Sequence, residues 1–178
     1  MATEILRADA DGDEVALLAN GAASDWDCVD EASPDDDTTY LSNNTTTFVY
    51  DSLNLQASGL GGETITAIDA WDRCRVGASA GAQDEKEAGV RLGGANTMGS
   101  PVQLTTTYTD RESAALARPG GGSWAVSDLA SLQVRIGLRE NGSSTARCTQ
   151  AWIEVNYTAG GSAQPPRTVH QHRLRRAT

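Results

Sequence analysis

The chain has 178 residues, enough for one domain with tails, since domains usually run to about 100–200 residues. It holds 24 acidic and 14 basic residues, which gives a net charge of −10. An acidic surface repels nucleic acid and anionic membranes, so neither is expected as a partner. The sequence has no apolar run of about 18 residues and no basic, then apolar, N-terminal leader. Neither a transmembrane helix nor a signal peptide is therefore expected.

The first 24 residues hold few large apolar side chains and are expected to form an N-terminal arm, with a first strand at 14–19. Asp9, Asp11 and Asp13 resemble the opening of a calcium-binding loop. The glycine at the sixth position and the closing glutamate of such a loop are missing. These three residues are therefore weak calcium candidates, and an acidic surface loop is the favoured interpretation.

The middle of the chain alternates β-branched or aromatic residues with polar ones, a pattern that predicts strands. The predicted strands are 26–29, 38–42, 46–55, 63–76, 87–92 and 101–109. In the strand at 63–76, Trp71 lies opposite the face that carries Ile68, Cys74 and Val76, because successive side chains of a strand point to opposite sides. Trp71 is therefore expected on the face of the strand opposite the apolar residues.

The last third contains the clearest strand signal. Residues 110–124 are expected to be irregular, and a helical turn is expected at 127–129. Two alternating runs within 129–157, separated by turn residues at 140–144, predict a β-hairpin. In its second strand, Trp152 lies opposite the apolar face.

About eight to ten strands at even spacing, with little helix, predict an all-β fold, a two-sheet antiparallel β-sandwich or jelly roll. The predicted organisation is an N-terminal arm at 1–24, a sandwich domain at 25–158, and a Gly/Pro linker with a basic arm at 159–178.

Catalysis is not expected, because both histidines, His170 and His172, lie in the C-terminal tail. A Ser-His-Asp or Cys-His site inside the domain is thus excluded. Cys28, Cys74 and Cys148 form no Cys-x-x-Cys motif, so no zinc site and no cofactor are expected. Buried free thiols are favoured, and a disulfide between Cys74 and Cys148 is the alternative.

Two features are candidates for partner binding. Trp71 and Trp152 are expected either to pack in the core or between subunits, which is favoured, or to stack against sugars. The C-terminal tail is basic, whereas the remaining chain holds 10 basic and 24 acidic residues, a net charge of −14. The tail is either a disordered end or an arm that docks on an acidic neighbour. Its arginines are Arg167, Arg173, Arg175 and Arg176.

Six stretches resemble the small β-sandwich structural proteins of tailed bacteriophages and related archaeal viruses, which decorate heads or build tail fibres. They are 26–41 (WDCVDEASPDDDTTYL), 50–55 (YDSLNL), 64–76 (TITAIDAWDRCRV), 104–108 (LTTTY), 129–138 (LASLQVRIGL) and 146–157 (ARCTQAWIEVNY). The family shares no catalytic residues, and the basic tail lies outside the similarity.

The resemblance implies a non-enzymatic virion protein, made in the host cytoplasm, that decorates and stabilises a capsid through subunit contacts. The implied partners are the major capsid protein or tail components, and further copies of the chain. The alternative is a tail-fibre or other carbohydrate-binding module that recognises glycans.

Overall fold

A computed structural model describes residues 1–78, 80–142 and 144–160. Within these ranges the regular structure is almost entirely antiparallel β-strand, which confirms the predicted fold class. Its eleven strands are β1 (Ala2–Asp11), β2 (Leu18–Asn20), β3 (Tyr40–Asn43), β4 (Val49–Leu55), β5 (Thr64–Val76), β6 (Glu85–Leu92), β7 (Ala95–Met98), β8 (Val102–Gln103), β9 (Thr109–Ser113), β10 (Gln133–Arg139) and β11 (Ala146–Thr158). Two 3-10 helices span Trp26–Cys28 and Val126–Ser131.

The strands form two layers. In the first layer β11 is central, with β5 and then β9 on one side and with β3 and β1 on the other, and β2 pairs with β3. In the second layer β10 lies between β4 and β6, and β6 also pairs with β7 and β8. β1 joins the layers, because its first half pairs with β11 and its second half with β4.

The core lies between the two layers and is built from alternate residues of each strand, because successive side chains of a strand point to opposite faces. Ile68 and Ala70 of β5 and Ile153 and Val155 of β11 are fully buried and face Ile136 and other apolar residues of the second layer. The intervening side chains of β5 and β11 point away from the core. The first layer therefore presents a long outer face, and this face carries the candidate site.

The predicted β-hairpin at 129–157 is wrong. Both strands exist, but β10 pairs with β4 and β6, whereas β11 pairs with β1, β3 and β5. Residues 133–138 of β10 are all buried. After β10 the chain reverses near Gly142, where φ is 88°. It then enters the first layer as β11, which does not pair with β10.

The N-terminal segment, predicted as an arm, is instead an integral part of the sandwich. β1 places Leu6 and Ala8 in the core, so two apolar side chains at alternate positions suffice to hold it between neighbours. The strand expected at 14–19 begins only at Leu18, because the N–H groups of Ala16 and Leu17 donate to the Asp51 carboxylate.

Two other predicted strands are also corrected. Residues 26–28 form a 3-10 helix, and its first N–H donates to the Asp11 carboxylate (3.0 Å). Residues 101–109 are mostly not a strand, because this segment crosses from β8 in the second layer to β9 in the first. β9 itself occupies part of the region expected to be irregular. The helical turn predicted at 127–129 is confirmed within Val126–Ser131.

The described residues include no helix that is both long and apolar enough to cross a membrane.

Candidate functional site

Trp71 and Trp152 lie side by side on the outer face of the first layer. They are directly opposite each other in the pairing of β5 with β11. Their ring centroids are 5.6 Å apart and the ring planes differ by 6°. This is an offset-stacked pair, the arrangement that aromatic quadrupoles favour. Both residues are half-buried and lie on the face of their strands opposite the apolar residues, as the alternation predicts.

Arg7 continues the pair on the side of β1. It is opposite Trp152 in the register, and its guanidinium carbon lies 5.7 Å from the centre of that ring, within the range of a cation–π contact. Its Nη1 donates to the carbonyl oxygen of Glu31 (2.8 Å), which also accepts from Gln150 (2.6 Å). The Glu31 carbonyl therefore fixes the position of Arg7 beside the ring.

Glu112 continues the pair on the other side, because it is opposite Trp71 in the pairing of β5 with the edge strand β9. Its side chain is exposed. Arg7, Trp152, Trp71 and Glu112 thus form a row across four strands, which we call the tryptophan row. Two aromatic rings lie at its centre, with a cation at one end and a carboxylate at the other.

A cleft of about 450 Å³ opens beside this row, between the edge strand β9 of the first layer and the β7–β8 segment of the second. We call it the edge cleft. Its lining combines small side chains, hydroxyls and the Glu112 carboxylate, so Glu112 belongs to both the row and the cleft. The lining residues are Thr97, Met98, Gly99, Ser100, Val102, Glu112, Ser113, Ala114, Ala115, Leu116 and Ala117.

The wall of the edge cleft is held by a strained turn. Ala115 has φ of 50°, a left-handed conformation that a residue with a Cβ rarely adopts. Its N–H donates to the Asp69 carboxylate (2.6 Å), and Asn156 donates to the other oxygen of that group (2.6 Å). Asp69 therefore fixes the backbone that borders the cleft. Across the cleft, a Cβ at Gly99 would lie 2.3 Å from Ser113 Oγ, so only glycine fits there.

The acidic turn at 34–37 packs on the same outer face, further along β5. Arg73 binds Asp36 through two nitrogens, at 2.8 and 3.1 Å. Asp37 accepts from both Arg75 (2.8 Å) and Arg147 (2.7 Å). These contacts tie the acidic turn to the sheet, so that the turn bounds the tryptophan row on this side.

Tyr108 lies beneath this arginine cluster, 5.5 Å from the Arg73 guanidinium carbon and 5.0 Å from that of Arg75. Its hydroxyl donates to Asp37 (3.0 Å). Burial, together with the Asp37 charge, raises the pKa of the Tyr108 hydroxyl. The phenol therefore stays neutral and serves as a packing surface for the two arginines.

The calcium candidates are not arranged as a metal site. Asp11 accepts the N–H of Trp26, Asp13 pairs with Arg91 (3.1 Å), and Asp9 is exposed. Across 1–78, 80–142 and 144–160, no cluster of three or more His, Cys, Asp or Glu side chains is placed to hold a metal ion.

The other predicted residues fall into two groups. The tail arginines Arg167, Arg173, Arg175 and Arg176 lie outside the described residues, as do His170 and His172. Cys74 and Cys148 are opposite each other in the pairing of β5 with β11, and both are buried free thiols, as favoured from the sequence.

Sequence reasoning missed Arg7, Glu112 and the edge cleft. Arg7 lay in a segment interpreted as an arm, and Glu112 in one interpreted as irregular. The alternation of Ile5 and Arg7 with the apolar Leu6 and Ala8 was the available signal for β1. The cleft depends on the meeting of two sheet edges, which no local pattern encodes.

No protein-family model matches the chain, and no curated protein matches it. A search of solved structures finds a protein described as "Family 16 Carbohydrate Binding Module-2", with a TM-score of 0.40 and 14% sequence identity. The superposition covers 77% of this chain and 84% of that one. A likeness at this TM-score carries no argument about what this chain binds. The similarity to phage structural proteins stays a prediction.

Proposed function

We propose that the chain is a carbohydrate-binding β-sandwich module that recognises a glycan without catalysis. The observation that carries the proposal is the tryptophan row, in which two stacked indoles lie on the outer face between a guanidinium and a carboxylate. This revises the preference drawn from the sequence, where packing was favoured over sugar binding for Trp71 and Trp152.

The physical argument is that a sugar has both apolar and polar surfaces. Its C–H groups pack against an indole, and its hydroxyls need donors and acceptors at the edge of the ring. The Arg7 guanidinium can only donate hydrogen bonds, whereas the ionised Glu112 carboxylate can only accept them. The row therefore offers an apolar centre with complementary polar ends.

The edge cleft extends the same surface. Its volume of about 450 Å³ falls within the range of about 300–1,000 Å³ that is usual for small-ligand sites. Ser100 is exposed and adds a hydroxyl, while Met98 and Leu116 add apolar lining. A glycan longer than one sugar would contact the row with one unit and the cleft with the next, with Glu112 between them.

The test is a glycan array probed with the full chain, followed by calorimetry on the best oligosaccharide. Glu112→Gln removes an exposed charge at the junction, and we expect at least a tenfold loss of affinity, about 1.4 kcal/mol. Trp71→Phe keeps an aromatic ring but shrinks the platform, and we expect a similar loss. The matched control is Asp27→Asn, an exposed carboxylate outside the row, which should bind as the parent does.

Two results would contradict the proposal. One is that no glycan on the array binds. The other is that Glu112→Gln and Trp71→Phe bind the glycan as tightly as Asp27→Asn does, which would put the binding surface elsewhere.

A second candidate function is subunit packing in a virion, with capsid decoration as the role and other capsid or tail proteins as partners. The observation that favours it is Ile5, which is 44% exposed on the same face of β1 as Arg7. A second copy would cover Ile5 and the tryptophan row together. Light scattering on the full chain, and on a version ending at Gly160, tests this: we expect a multimer, and a monomer in both would contradict it.

A further inference from the structure

The core contains an ion pair whose two side chains are both buried and which is not part of the proposed binding site. Lys86 of β6 and Asp72 of β5 are 1% and 0% exposed, and Lys86 Nζ contacts Asp72 Oδ2 directly. β5 belongs to the first layer and β6 to the second, so this contact spans the sandwich. Lys86 is also the only lysine in the sequence.

The environment of this pair is poor for charges. The other oxygen of the carboxylate, Asp72 Oδ1, is shielded from solvent and has no hydrogen-bond partner among the described residues. A buried carboxylate normally needs several donors, and an uncompensated one is costly. Conversion of the pair into a neutral group would remove this cost.

We propose that Lys86 and Asp72 are the site of a self-formed amide bond, an intramolecular isopeptide crosslink between the two layers. The two reacting atoms are already in adjacent positions on rigid strands, so the reaction is effectively unimolecular. Neither side chain reaches solvent, so bulk water does not compete for the acyl carbon.

The step balances without any further reactant. A proton moves from the Lys86 ammonium to the Asp72 carboxylate, which gives an amine and a carboxylic acid. Nζ attacks Cγ of Asp72 and forms the new C–N bond. The C–O bond to the protonated oxygen then breaks, and this oxygen leaves as water with a second proton from Nζ. One proton stays on the amide nitrogen, and nothing is oxidised or reduced.

The surroundings favour the neutral form that this step needs. Burial raises the pKa of Asp72, although the Lys86 charge acts against this shift. Burial also raises the pKa of Cys74, which lies two residues further along the same inward face of β5. The thiol therefore stays protonated and adds no competing negative charge beside the acid.

The experiment is intact-mass spectrometry of the purified full chain under denaturing conditions. We expect a mass lower than the sequence mass by one water molecule. Trypsin should then give a branched peptide that joins residues 8–73 to residues 76–91, because an acylated Lys86 is not cleaved. An intact mass equal to the sequence mass after prolonged incubation would overturn the proposal.

The control variant is Lys86→Arg, which keeps the positive charge but replaces the amine with a non-nucleophilic guanidinium. We expect it to retain the full mass. Asp11-Gly12 can also lose water by forming a succinimide, so a loss that persists in Lys86→Arg, or that maps to Gly12, would overturn the proposal. Asp72→Asn supplies a second readout, because closure there releases ammonia and must give the same crosslinked mass as the parent.

Discussion

The ion pair in the core and the ion pairs on the outer face of the first layer differ mainly in burial. In the core, Lys86 and Asp72 are 1% and 0% exposed. On the outer face, the side chains of Arg75 and Asp37 are 21% and 52% exposed. Charges without water interact strongly and are costly to separate, whereas exposed pairs are screened and gain little. The difference means that removing one member of the core pair should cost far more stability than removing one member of an outer pair, while the outer pairs shape the surface around the tryptophan row.

The largest effect is expected from breaking the core pair. Lys86→Met leaves the Asp72 carboxylate buried without a partner, and we expect the free energy of unfolding to fall by about 3–5 kcal/mol. The double variant Lys86→Met/Asp72→Leu removes both charges, so it should be more stable than Lys86→Met, although it lacks the proposed crosslink of the parent. Urea unfolding of the three proteins measures both effects. A single variant as stable as the parent would contradict the comparison.

Two neighbouring buried carboxyl groups, those of Asp51 and Asp25, should make the stability of the protein depend on pH, unlike the exposed carboxylates of the outer face. Asp51 is fully buried and accepts the N–H groups of Ala16 (2.6 Å) and Leu17 (2.8 Å). Burial, together with the neighbouring buried carboxyl group of Asp25, raises the pKa of Asp51 to about 7. The folded protein therefore holds a proton between about pH 4 and pH 7 that the unfolded chain has released.

Because the folded state binds more protons in this window, stability is expected to fall as the pH rises from about 4 to about 7. The drop that Asp51 contributes should be about 2–4 kcal/mol. Asp51→Asn keeps an oxygen for the two N–H groups and should flatten this dependence. Thermal unfolding across the window checks it, and Asp27→Asn, which changes an exposed carboxyl, serves as the control. An equally steep slope in Asp51→Asn would count against this assignment.

Sequence patterns predicted those parts of the fold that depend on local alternation. The strand at 63–76, the outward position of Trp71 and the burial of Cys74 all follow from a period of two within one segment. The pairing of strands did not follow in the same way. The turn residues before β11 were consistent with a hairpin, but the apolar residues of both strands are satisfied equally well by opposite layers.

The candidate site likewise combines features that one strand predicts by itself with features that depend on how strands pair. Trp71 and Trp152 were identifiable because each lies on the face of its strand opposite the apolar residues. Their contact could not be predicted, because it depends on the register between β5 and β11, which includes a shift between Cys148 and Gln150. Lys86 was visible as a single lysine, but its pairing with Asp72 across the two layers requires the packed sandwich.

The smallest effect is expected on the outer face. Asp37→Asn removes the charge that Arg75 and Arg147 share, but the side chain is 52% exposed, so the free energy of unfolding should fall by only about 0–1 kcal/mol. Screening should remove even this difference at high salt. Urea unfolding at low and high salt measures it. A loss as large as that of Lys86→Met would contradict the comparison, because it would mean that the exposed cluster contributes as much stability as the buried pair.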